Sequence, residues 1–377
     1  MNSKNYIQSC LLGCCIITLL VIAFCAGCTT TQSTQGISIV ALDDQTGHAI
    51  TSYAAQYERD TKMPVTVTLY SPEIWDPALY QDYSLIVTDI PDLATLAEQG
   101  IIKPITMMDD GALNKTTFDA IMLHPYIIDE KLYGLALQPD MLGYVIWGDL
   151  FEDPEEIAAF NETYGYDIGN PLTYHELLSI TEFISRPENG RYSIGIPGNE
   201  ADTIQNLHES ILRSYGSTQT DSDAIEAEAV FQELISYAAP EYMTWNREDV
   251  AAALREREVQ SAIMWFSEFG TLSSPENNPD NEPFIFLSLP GSWNSNGSFH
   301  SITILDGQVF AIPYGHDEDP ELIAFLNWFY HPDTQWSWME DGMQPMIHEI
   351  QESWEYLMAN GYNAAYIISL RNAWTLQ

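Results

Sequence analysis

A strand, a helix and a second strand follow one another between residues 37 and 70, and this order constrains the fold more than any other feature of the sequence. Residues 37–42 (ISIVAL) form a short apolar run that is typical of a buried strand. Apolar and aromatic residues then recur at helical spacing over 48–60, and residues 65–70 (VTVTLY) alternate as a strand does. Because a helix that connects two neighbouring strands leaves them parallel, the sequence predicts an α/β fold.

The alternation of strands and helices continues towards the end of the chain. A third strand is predicted over 83–88, and a strand over 131–137 is expected to end at Gln138 and Pro139. Apolar segments follow at 193–197, 262–266, 284–289 and 307–312, and helices are predicted at 93–98, 154–164, 173–185, 203–215, 224–238, 249–258 and 320–330. With 377 residues, the chain is long enough for two ordinary domains or one large one.

The N-terminus has the pattern of a secretory signal. Residues 11–24 are mostly apolar, Lys4 is the only charged side chain before them, and residues 25–28 (CAGC) resemble a lipobox. The apolar run is shorter than the roughly 20 residues of a membrane-spanning helix, so a tilted span over 10–26 is the weaker alternative. We therefore predict that residues 1–27 are a signal peptide and that Cys28 becomes the lipid attachment site.

All five cysteines lie within the first 28 residues, at positions 10, 14, 15, 25 and 28. The rest of the chain therefore forms no disulfide and suffers no thiol oxidation outside the cell. Residues 29–36 (TTTQSTQG) are small and polar, and they predict a flexible tether between Cys28 and the folded part. The predicted location is the cell membrane, with a lipid anchor and with the folded part facing the extracellular or periplasmic side.

The charge balance excludes some classes of partner. The chain has 13 Lys and Arg residues against 54 Asp and Glu residues, which gives a net charge of −41. Such a surface repels nucleic-acid phosphates and anionic headgroups, so we expect no nucleic-acid partner. The acidic residues are spread along the whole chain, which favours a role in solubility over the alternative, attraction of a cationic ligand.

The order of these pieces resembles that of family 1 extracellular solute-binding proteins, the lipid-anchored receptors of ABC importers, particularly of sugar importers. The segments that carry the resemblance are 83–105 (YSLIVTDIPDLATLAEQGIIKPI), 130–151 (EKLYGLALQPDMLGYVIWGDLF), 171–178 (PLTYHELL), 259–269 (VQSAIMWFSEF) and 307–328. The second segment departs from the family pattern, because Ile146 and Trp147 stand where Tyr-Asn is usual. The agreement in order and spacing extends over residues 37–340.

The resemblance implies a two-lobe fold of the periplasmic-binding-protein type (type II), in which hinge-linked sheets flanked by helices close over a ligand. Lobe 1 would comprise residues 37–138 and 262–314, and lobe 2 residues 139–261 and 315–377. The implied function is that of a receptor that captures a small extracellular solute, a sugar or oligosaccharide, for the permease subunits of an ABC transporter. We expect a monomer without a cofactor.

Four aspartates follow predicted strands at positions where an α/β sheet binds ligands. Asp43 and Asp44 follow the first strand, Asp89 follows the third, and Asp140 lies just beyond the crossover at Gln138. Ligands of open α/β sheets sit outside the carboxyl ends of the strands. In the family that the chain resembles, such positions often carry carboxylates that accept hydrogen bonds from sugar hydroxyls. The alternative is that these aspartates cap helices or form turns.

Four aromatic residues and one glutamate complete the predicted ligand-binding set. The aromatic residues Trp75, Tyr144, Trp265 and Trp293 lie in loops or at the ends of predicted elements, where a flat ring can pack against a sugar. Core packing is the alternative role for each of them. Glu268 lies in the apolar segment WFSEF, where an unpaired charge would be costly, and its alternative role is a rim carboxylate or a salt bridge.

Other functions stay open from the residues alone. The carboxylates could bind a cationic ligand, either a polyamine or a ferric ion, or they could serve a lipid-anchored hydrolase of extracellular glycans. A sensor subunit is a further alternative. The sequence contains no G-x-S-x-G elbow, no H-E-x-x-H pair and no P-loop, and its eight histidines are scattered. We therefore predict a binding protein that is not an enzyme and that has no metal site.

Overall fold

The computed structural model of the chain describes residues 36–71, 77–118, 123–217, 222–274, 278 and 283–374. The predicted signal peptide, Cys28 and Trp75 lie outside the described residues. The strands, in chain order, are β1 (Ile37–Leu42), β2 (Val65–Tyr70), β3 (Leu85–Asp89), β4 (Ile102–Lys103), β5 (Ile127–Ile128), β6 (Lys131–Leu132), β7 (Leu135–Asp140), β8 (Leu142–Trp147), β9 (Tyr192–Gly195), β10 (Val259–Trp265), β11 (Phe284–Ser288), β12 (Ser292–Trp293), β13 (Phe299–His300), β14 (Thr303–Ile304), β15 (Asp306–Pro313) and β16 (Ala373–Trp374).

The α-helices alternate with these strands and then continue to the C-terminus. They are α1 (Gln45–Thr61), α2 (Leu93–Glu98), α3 (Pro154–Tyr164), α4 (Tyr174–Ile184), α5 (Ala201–Ser214), α6 (Ser222–Ser236), α7 (Arg247–Arg255), α8 (Phe266–Ser273), α9 (Pro320–Phe329), α10 (Pro332–Glu340), α11 (His348–Gln351), α12 (Trp354–Ala359) and α13 (Asn363–Arg371). In the described part of the chain, no helix combines the length and the apolarity that a membrane span requires.

The first sheet contains the predicted parallel unit. β1 lies between β2 and β3 and runs parallel to both, with Ile39 opposite Val67 on one side and Leu85 on the other. β15 pairs with β3 in the antiparallel direction, and β4 and β7 pair with β15. Helix α1 packs against β1 and β2, and the ring of its Tyr57 contacts Phe325 of α9 at a centroid distance of 5.2 Å. The predicted α/β class is therefore confirmed.

The second sheet is built around β8, in the order β11-β8-β10-β9. β8 is antiparallel to β10 and β11, whereas β9 is parallel to β10, and every residue of β8 and β10 is buried. Helices α4 and α5 contribute Leu177 and Ile211 to the core of this half. α4 begins at the predicted capping box, in which Thr173 and Glu176 exchange hydrogen bonds between side chain and backbone.

β7 does not end at Gln138 and Pro139, as the sequence predicts, but continues beyond them. Proline is tolerated there because, among the described strands, β7 pairs only with β15 and is an edge strand. Tyrosine hydroxyls from the C-terminal helices and their connections bind its backbone. Tyr330 donates to the carbonyl oxygen of Ala136 at 2.8 Å, and Tyr366 donates to that of Pro139 at 3.0 Å.

The two sheets divide the chain differently from the predicted lobe boundaries. Residues 262–314 are predicted in lobe 1, but β10 and β11 pair with β8 in the second sheet. The physical reason is that β7 passes almost directly into β8, whose two edges then need strand partners for their backbone groups. Of the C-terminal helices predicted in lobe 2, α10 packs against α1 through Trp338 and Tyr53, at 5.1 Å, whereas α13 packs against β11 and β8.

Two connections between the sheets meet at Asp140 and Asp306. β7 passes to β8, and β14, which packs on α5, passes to β15. Asp306 lies directly opposite Asp140 in the antiparallel pair of β15 and β7. The next residue, Gly307, has a φ of +89°, and a Cβ atom at this position would lie 2.2 Å from the carbonyl oxygen of Gln138. Only glycine therefore allows the two strands to approach this closely.

Replacement of Gly307 by alanine tests how tightly the crossing strands are packed. Gly342→Ala is the matched control, because Gly342 has a φ of +88° and a Cβ atom there would meet no described atom within 4 Å. Both variants place a side chain in the left-handed region, which costs about 1–2 kcal/mol. Gly307→Ala must also separate β15 from β7, so we expect its free energy of unfolding to fall by about 1–3 kcal/mol more. Urea denaturation measures both losses, and equal losses would contradict the close packing.

Candidate functional site

A cavity of about 380 Å³ opens between the ends of the two sheets. Its lining combines the carboxyl ends of β1, β3, β7 and β10, the start of β15 and the first turns of α1, α5, α7 and α8. The lining residues are Leu42, Asp44, Gln45, Thr46, Asp89, Gln138, Asp140, Asp202, Arg247, Trp265, Ser267, Glu268, Asp306, Gly307 and Gln308. Because ligands of α/β sheets bind at such strand ends, this cavity is the candidate site.

Five lining side chains project from one face of β3, β15 and β7, among them Gln138. We call the other four, Asp89, Asp140, Asp306 and Gln308, the acidic platform. Gln308 lies opposite Asp89, and Asp306 lies opposite Asp140. Directly opposite residues of antiparallel strands share a face, as do residues two apart in one strand. Within the described residues, however, no three His, Cys, Asp or Glu side chains converge on a position that could hold a metal ion.

Asp140 is the most buried carboxylate of the platform, with 9% of its surface exposed. Its Oδ1 atom accepts hydrogen bonds from the backbone N–H groups of Met141 at 2.9 Å and of Ser267 at 3.2 Å. Burial raises the pKa of Asp140 to about 6, and these hydrogen bonds and the charge of Arg247 limit the rise. Because Ser267 lies in the first turn of α8, Asp140 links the first sheet to the second half of the molecule.

Asp89 and Asp306 are held in a negatively charged environment. The side chain of Asp89 is open to the cavity, yet partial loss of hydration, followed by the charges of Asp306, Asp92 and Asp44, raises its pKa to about 7. Burial also raises the pKa of Asp306, whose Oδ2 atom accepts a hydrogen bond from the Asn206 amide of α5 at 3.0 Å. Both carboxylates therefore take up a proton more readily than fully hydrated carboxylates do.

Gln308 is a buried amide that uses only its nitrogen atom. Its Nε2 atom donates to Asp44 Oδ2 at 2.8 Å, while Asp44 Oδ1 accepts from the backbone N–H of Gly47 at 2.8 Å as the cap of α1. The Oε1 atom of Gln308 has no partner among the described residues, although only 7% of the residue is exposed. Because buried polar atoms are nearly always hydrogen-bonded, this oxygen is a candidate acceptor for a ligand.

Arg247 and Trp265 organise the side of the cavity that belongs to the second sheet. Arg247 Nε donates to Glu200 at 2.8 Å. Its Nη1 atom lies 3.9 Å from Glu268 Oε1, and its guanidinium lies 5.3 Å from the ring centroid of Trp265. Trp265 donates its indole N–H to Thr203 at 2.9 Å. Burial raises the pKa of Glu268, and the charge of Arg247 opposes the rise. The cation of this lining is therefore already engaged with carboxylates.

The structure brings five of the predicted ligand-binding residues together at this cavity. They are Asp44, Asp89, Asp140, Trp265 and Glu268. Asp44 also has the alternative role of a helix cap. One of its oxygens caps α1, and the other accepts a hydrogen bond from Gln308. That these five residues bind a ligand stays a prediction.

Three other predicted residues do not line the cavity. Asp43 is exposed and forms an ion pair with His48 at 3.1 Å. Tyr144 is wholly buried in the core of the second sheet, which is the alternative role considered for it. Trp293 is 62% exposed on the β12–β13 hairpin, where it packs against Phe299 at 5.2 Å. Trp75 lies outside the described residues, so its prediction has no structural counterpart.

Sequence reasoning missed Asp202, Arg247, Asp306 and Gln308. Asp306 and Gln308 begin β15, and its antiparallel pairing with β3 brings its first residues to the edge where β3 ends. An apolar run does not reveal the direction of its strand. The sequence therefore did not indicate that Asp306 and Gln308 lie at the ligand-binding edge of the sheet. Asp202 and Arg247 lie in the first turns of helices, where charged residues are common for reasons unrelated to ligands.

Comparisons with known proteins agree with this arrangement. A family model described as bacterial extracellular solute-binding protein matches residues 52–362, whereas no curated protein sequence matches the chain. Similar structures include an ABC transporter solute-binding protein of Agrobacterium radiobacter K84 in complex with ribitol (13% identity, 89% of this chain, 86% of that chain, TM-score 0.68). A second is maltose-bound MalE3 of T. maritima (14% identity, 91% of this chain, 89% of that chain, TM-score 0.68). A third is a solute-binding protein of Thermotoga lettingae TMO with α-D-tagatose (17% identity, 89% of this chain, 86% of that chain, TM-score 0.64). The predicted two-lobe fold is thus confirmed.

Replacement of Asp140 by asparagine tests the cost of its buried charge. The amide of the variant would keep an oxygen acceptor for the Met141 and Ser267 N–H groups but would carry no charge. Because the pKa of Asp140 in the folded protein lies above the unfolded value, its contribution to stability falls as the pH rises from about 4 to about 6 and is constant above that. We expect Asp140→Asn to raise the free energy of unfolding at about pH 8 by at most about 3 kcal/mol.

Thermal unfolding of the unliganded protein between about pH 5 and pH 8 measures this effect. The advantage of Asp140→Asn should shrink towards pH 5, where the wild-type carboxyl takes up a proton. Asp43→Asn is the matched control, because it removes an exposed carboxylate that forms only a surface ion pair, and its effect should be small throughout. A lower melting temperature of Asp140→Asn at pH 8 would show that its charge stabilises the fold.

Proposed function

The chain belongs to the family of bacterial extracellular solute-binding proteins, and we propose that it is the receptor of an ABC importer for a small carbohydrate. The observation that carries this proposal is the cavity between the two sheets, into which hydrogen-bonding groups of both halves project. Its volume of about 380 Å³ lies near the lower end of the 300–1,000 Å³ that is usual for small-molecule sites. The related structures named above hold ribitol, maltose and tagatose, which supports a sugar or polyol as ligand.

The proposed mechanism is capture by closure. A ligand that donates hydrogen bonds to Asp44 and Asp89 from the first half and to Glu268 from the second contacts both sides at once. Such a ligand binds the closed arrangement better than the open one and therefore shifts the protein towards closure. The connections from β7 to β8 and from β14 to β15 are the segments about which we propose that the lobes move. On this proposal, lobe 1 contains the first sheet and lobe 2 the second.

We propose capture without chemical conversion. The family consists of binding proteins, and the carboxylates of the cavity have acceptor roles that need no reaction. Asp140 accepts two backbone hydrogen bonds, and Asp306 accepts one from Asn206. The bound solute is then passed on to the permease. A bound sugar recovered unchanged after prolonged incubation would agree with this proposal, and hydrolysis of a chromogenic glycoside would oppose it.

A panel of sugars and polyols tests the capture proposal. A cognate solute at a hundredfold excess over its Kd stabilises the protein by about 2.7 kcal/mol, which thermal unfolding detects. Small-angle scattering should show a smaller radius of gyration with that solute than without it. The proposal fails if no member of the panel changes either quantity.

Two tryptophan variants locate the binding site. Trp265→Phe loses the indole bond to Thr203 and part of the ring surface at the cavity. We expect it to weaken binding of the cognate solute about three- to tenfold, as the loss of one aromatic contact does. Trp293→Phe is the matched control outside the cavity and should leave the Kd unchanged. Calorimetric titration measures both, and equal effects would place the site elsewhere.

We also propose that Cys28 carries the lipid that holds the receptor at the outer face of the membrane. The proposal is based on the CAGC sequence at 25–28 and the polar tether at 29–36. Cells fed an alkyne-tagged fatty acid should label the wild-type protein and the control Cys25→Ala, whereas Cys28→Ala should lose the label. Labelling that persists in Cys28→Ala would refute the assignment.

A further inference from the structure

The cavity is lined by far more negative than positive charge. Its carboxylates are Asp44, Asp89, Asp140, Asp202, Glu268 and Asp306, and among the described lining residues the one cationic side chain is Arg247. These carboxylates belong to both halves of the molecule and surround a space of about 380 Å³. Charges distributed in this way around a cavity fit a molecule that meets several of them, and not a single small ion.

Arg247 compensates only part of this charge: it opposes the pKa rise of Asp140 and Asp306, but its direct contacts lie on one side of the cavity. Its Nε atom binds Glu200 at 2.8 Å, and its next carboxylate neighbour is Glu268 at 3.9 Å. Within the described residues, no Lys, Arg or His forms an ion pair with Asp44, Asp89 or Asp306. The first sheet therefore presents carboxylates to the cavity that form no ion pair with a described protein cation.

Gln308 gives a second, independent indication of what the ligand must supply. Its Oε1 atom is an acceptor without a partner in the described chain, although only 7% of the residue is exposed. Gln308 lies opposite Asp89 and two residues from Asp306 on the same face of the sheet. Carboxylates and an amide oxygen are acceptors only, so a group bound between them has to donate every hydrogen bond.

We infer that the solute carries a protonated amino group, and that the acidic platform selects an aminated sugar or polyol over its neutral counterpart. This inference rests on the proposed carbohydrate-receptor function and narrows it. An ammonium group offers three donors and no acceptor, and it supplies the ion-pair partner that Asp89 and Asp306 lack. A hydroxyl group offers one donor and leaves the charges of the platform uncompensated. The remaining hydroxyls of the sugar would bind Asp44, Asp202 and Glu268.

The electrostatics of the unliganded platform agree with this assignment. Loss of hydration and the charges of Asp306, Asp92 and Asp44 raise the pKa of Asp89 to about 7. The groups that face Asp89 are these carboxylates, the Tyr70 hydroxyl and the Gln308 amide, whose hydrogen bond opposes the rise. A cation between Asp89 and Asp306 removes the repulsion that makes these carboxylates costly in the unliganded protein. Binding of an amine should therefore weaken as the pH falls towards 5, because the platform then takes up protons.

Matched pairs of ligands test the inference by calorimetric titration of the purified protein. The pairs are D-glucosamine with D-glucose, D-galactosamine with D-galactose, and D-glucamine with D-sorbitol, and the N-acetylated amino sugars serve as uncharged controls. We expect at least one amine to bind about tenfold or more tightly than its neutral partner, as one charge-assisted contact provides. Raising the salt concentration from about 20 to about 500 mM should weaken binding of the amine and leave binding of the neutral ligand unchanged.

Substitutions assign the selectivity to the platform. Asp89→Asn and Asp306→Asn each remove one charge and keep an oxygen acceptor, so binding of the amine should weaken more than binding of the neutral partner, and the preference for the amine should fall to about threefold or less. Asp43→Asn is the matched control, since Asp43 is an exposed neighbour of the cavity wall paired with His48, and it should keep the full preference. Thermal unfolding of each variant checks that it is folded. A preference that survives in both platform variants would overturn the assignment.

The outcomes separate this inference from the proposed function. If a neutral sugar or polyol binds as tightly as its amine, the receptor function stands and the inference fails. If putrescine binds and no carbohydrate of either kind does, the carbohydrate function fails and the inference falls with it. If nothing in the panel binds, both are rejected.

Discussion

The pairing of β15 with β7 places Asp306 opposite Asp140, and the geometry of the cleft depends on this juxtaposition of two like charges. Like charges opposite each other across two strands destabilise a sheet. Here each carboxylate is hydrogen-bonded to a donor from the other half of the molecule. Ser267 of α8 donates to Asp140, and Asn206 of α5 donates to Asp306. The contacts that hold these two carboxylates are therefore the same contacts that join the two halves.

This coupling connects the charge of the platform with the position of the lobes. On the proposed function, a cation bound between Asp89 and Asp306 shares the negative charge of Asp306 with the Asn206 amide and so weakens the hydrogen bond between these two residues. On the same proposal, the relative position of the halves responds to occupancy of the cleft. Gly307 makes the arrangement possible, since no larger residue would let β15 approach the Gln138 carbonyl. The carboxylates of the cleft thus lie on the same strands that connect the two halves.

Local sequence patterns predicted the elements of this fold well and their partners poorly. The helix over 154–164 and its bounds follow from Pro154 in its first turn, and the capping box at Thr173 follows from Glu176 three residues on. Such signals depend on neighbours in the chain. The pairing of β10 and β11 with β8 depends instead on contacts between residues more than 100 positions apart, as between Val145 and Ala262. Periodicity does not encode such contacts.

The same distinction explains which site residues could be predicted. Asp44, Asp89 and Asp140 lie at or just beyond the ends of strands that the chain pattern reveals, and strand ends of an α/β sheet carry ligand sites. Asp306 and Gln308 reach the same edge only because β15 runs antiparallel to β3. Tyr144 and Trp293 show the limit of residue type as a signal, since one is a core residue and the other lies on an exposed hairpin. Aromatic character favours both roles equally.

The net charge of −41 contains two physically different kinds of acidic residue. Most resemble Asp43, which is exposed and whose charge is hydrated at little cost. Asp89, Asp140 and Asp306 differ, because loss of hydration raises the pKa of each and makes its charge unfavourable in the folded protein. Residues whose charges lower stability are expected where function requires them. Solubility therefore explains most of the acidic residues. Asp89, Asp140 and Asp306, whose charges are costly, lie where we propose that carboxylates bind the ligand.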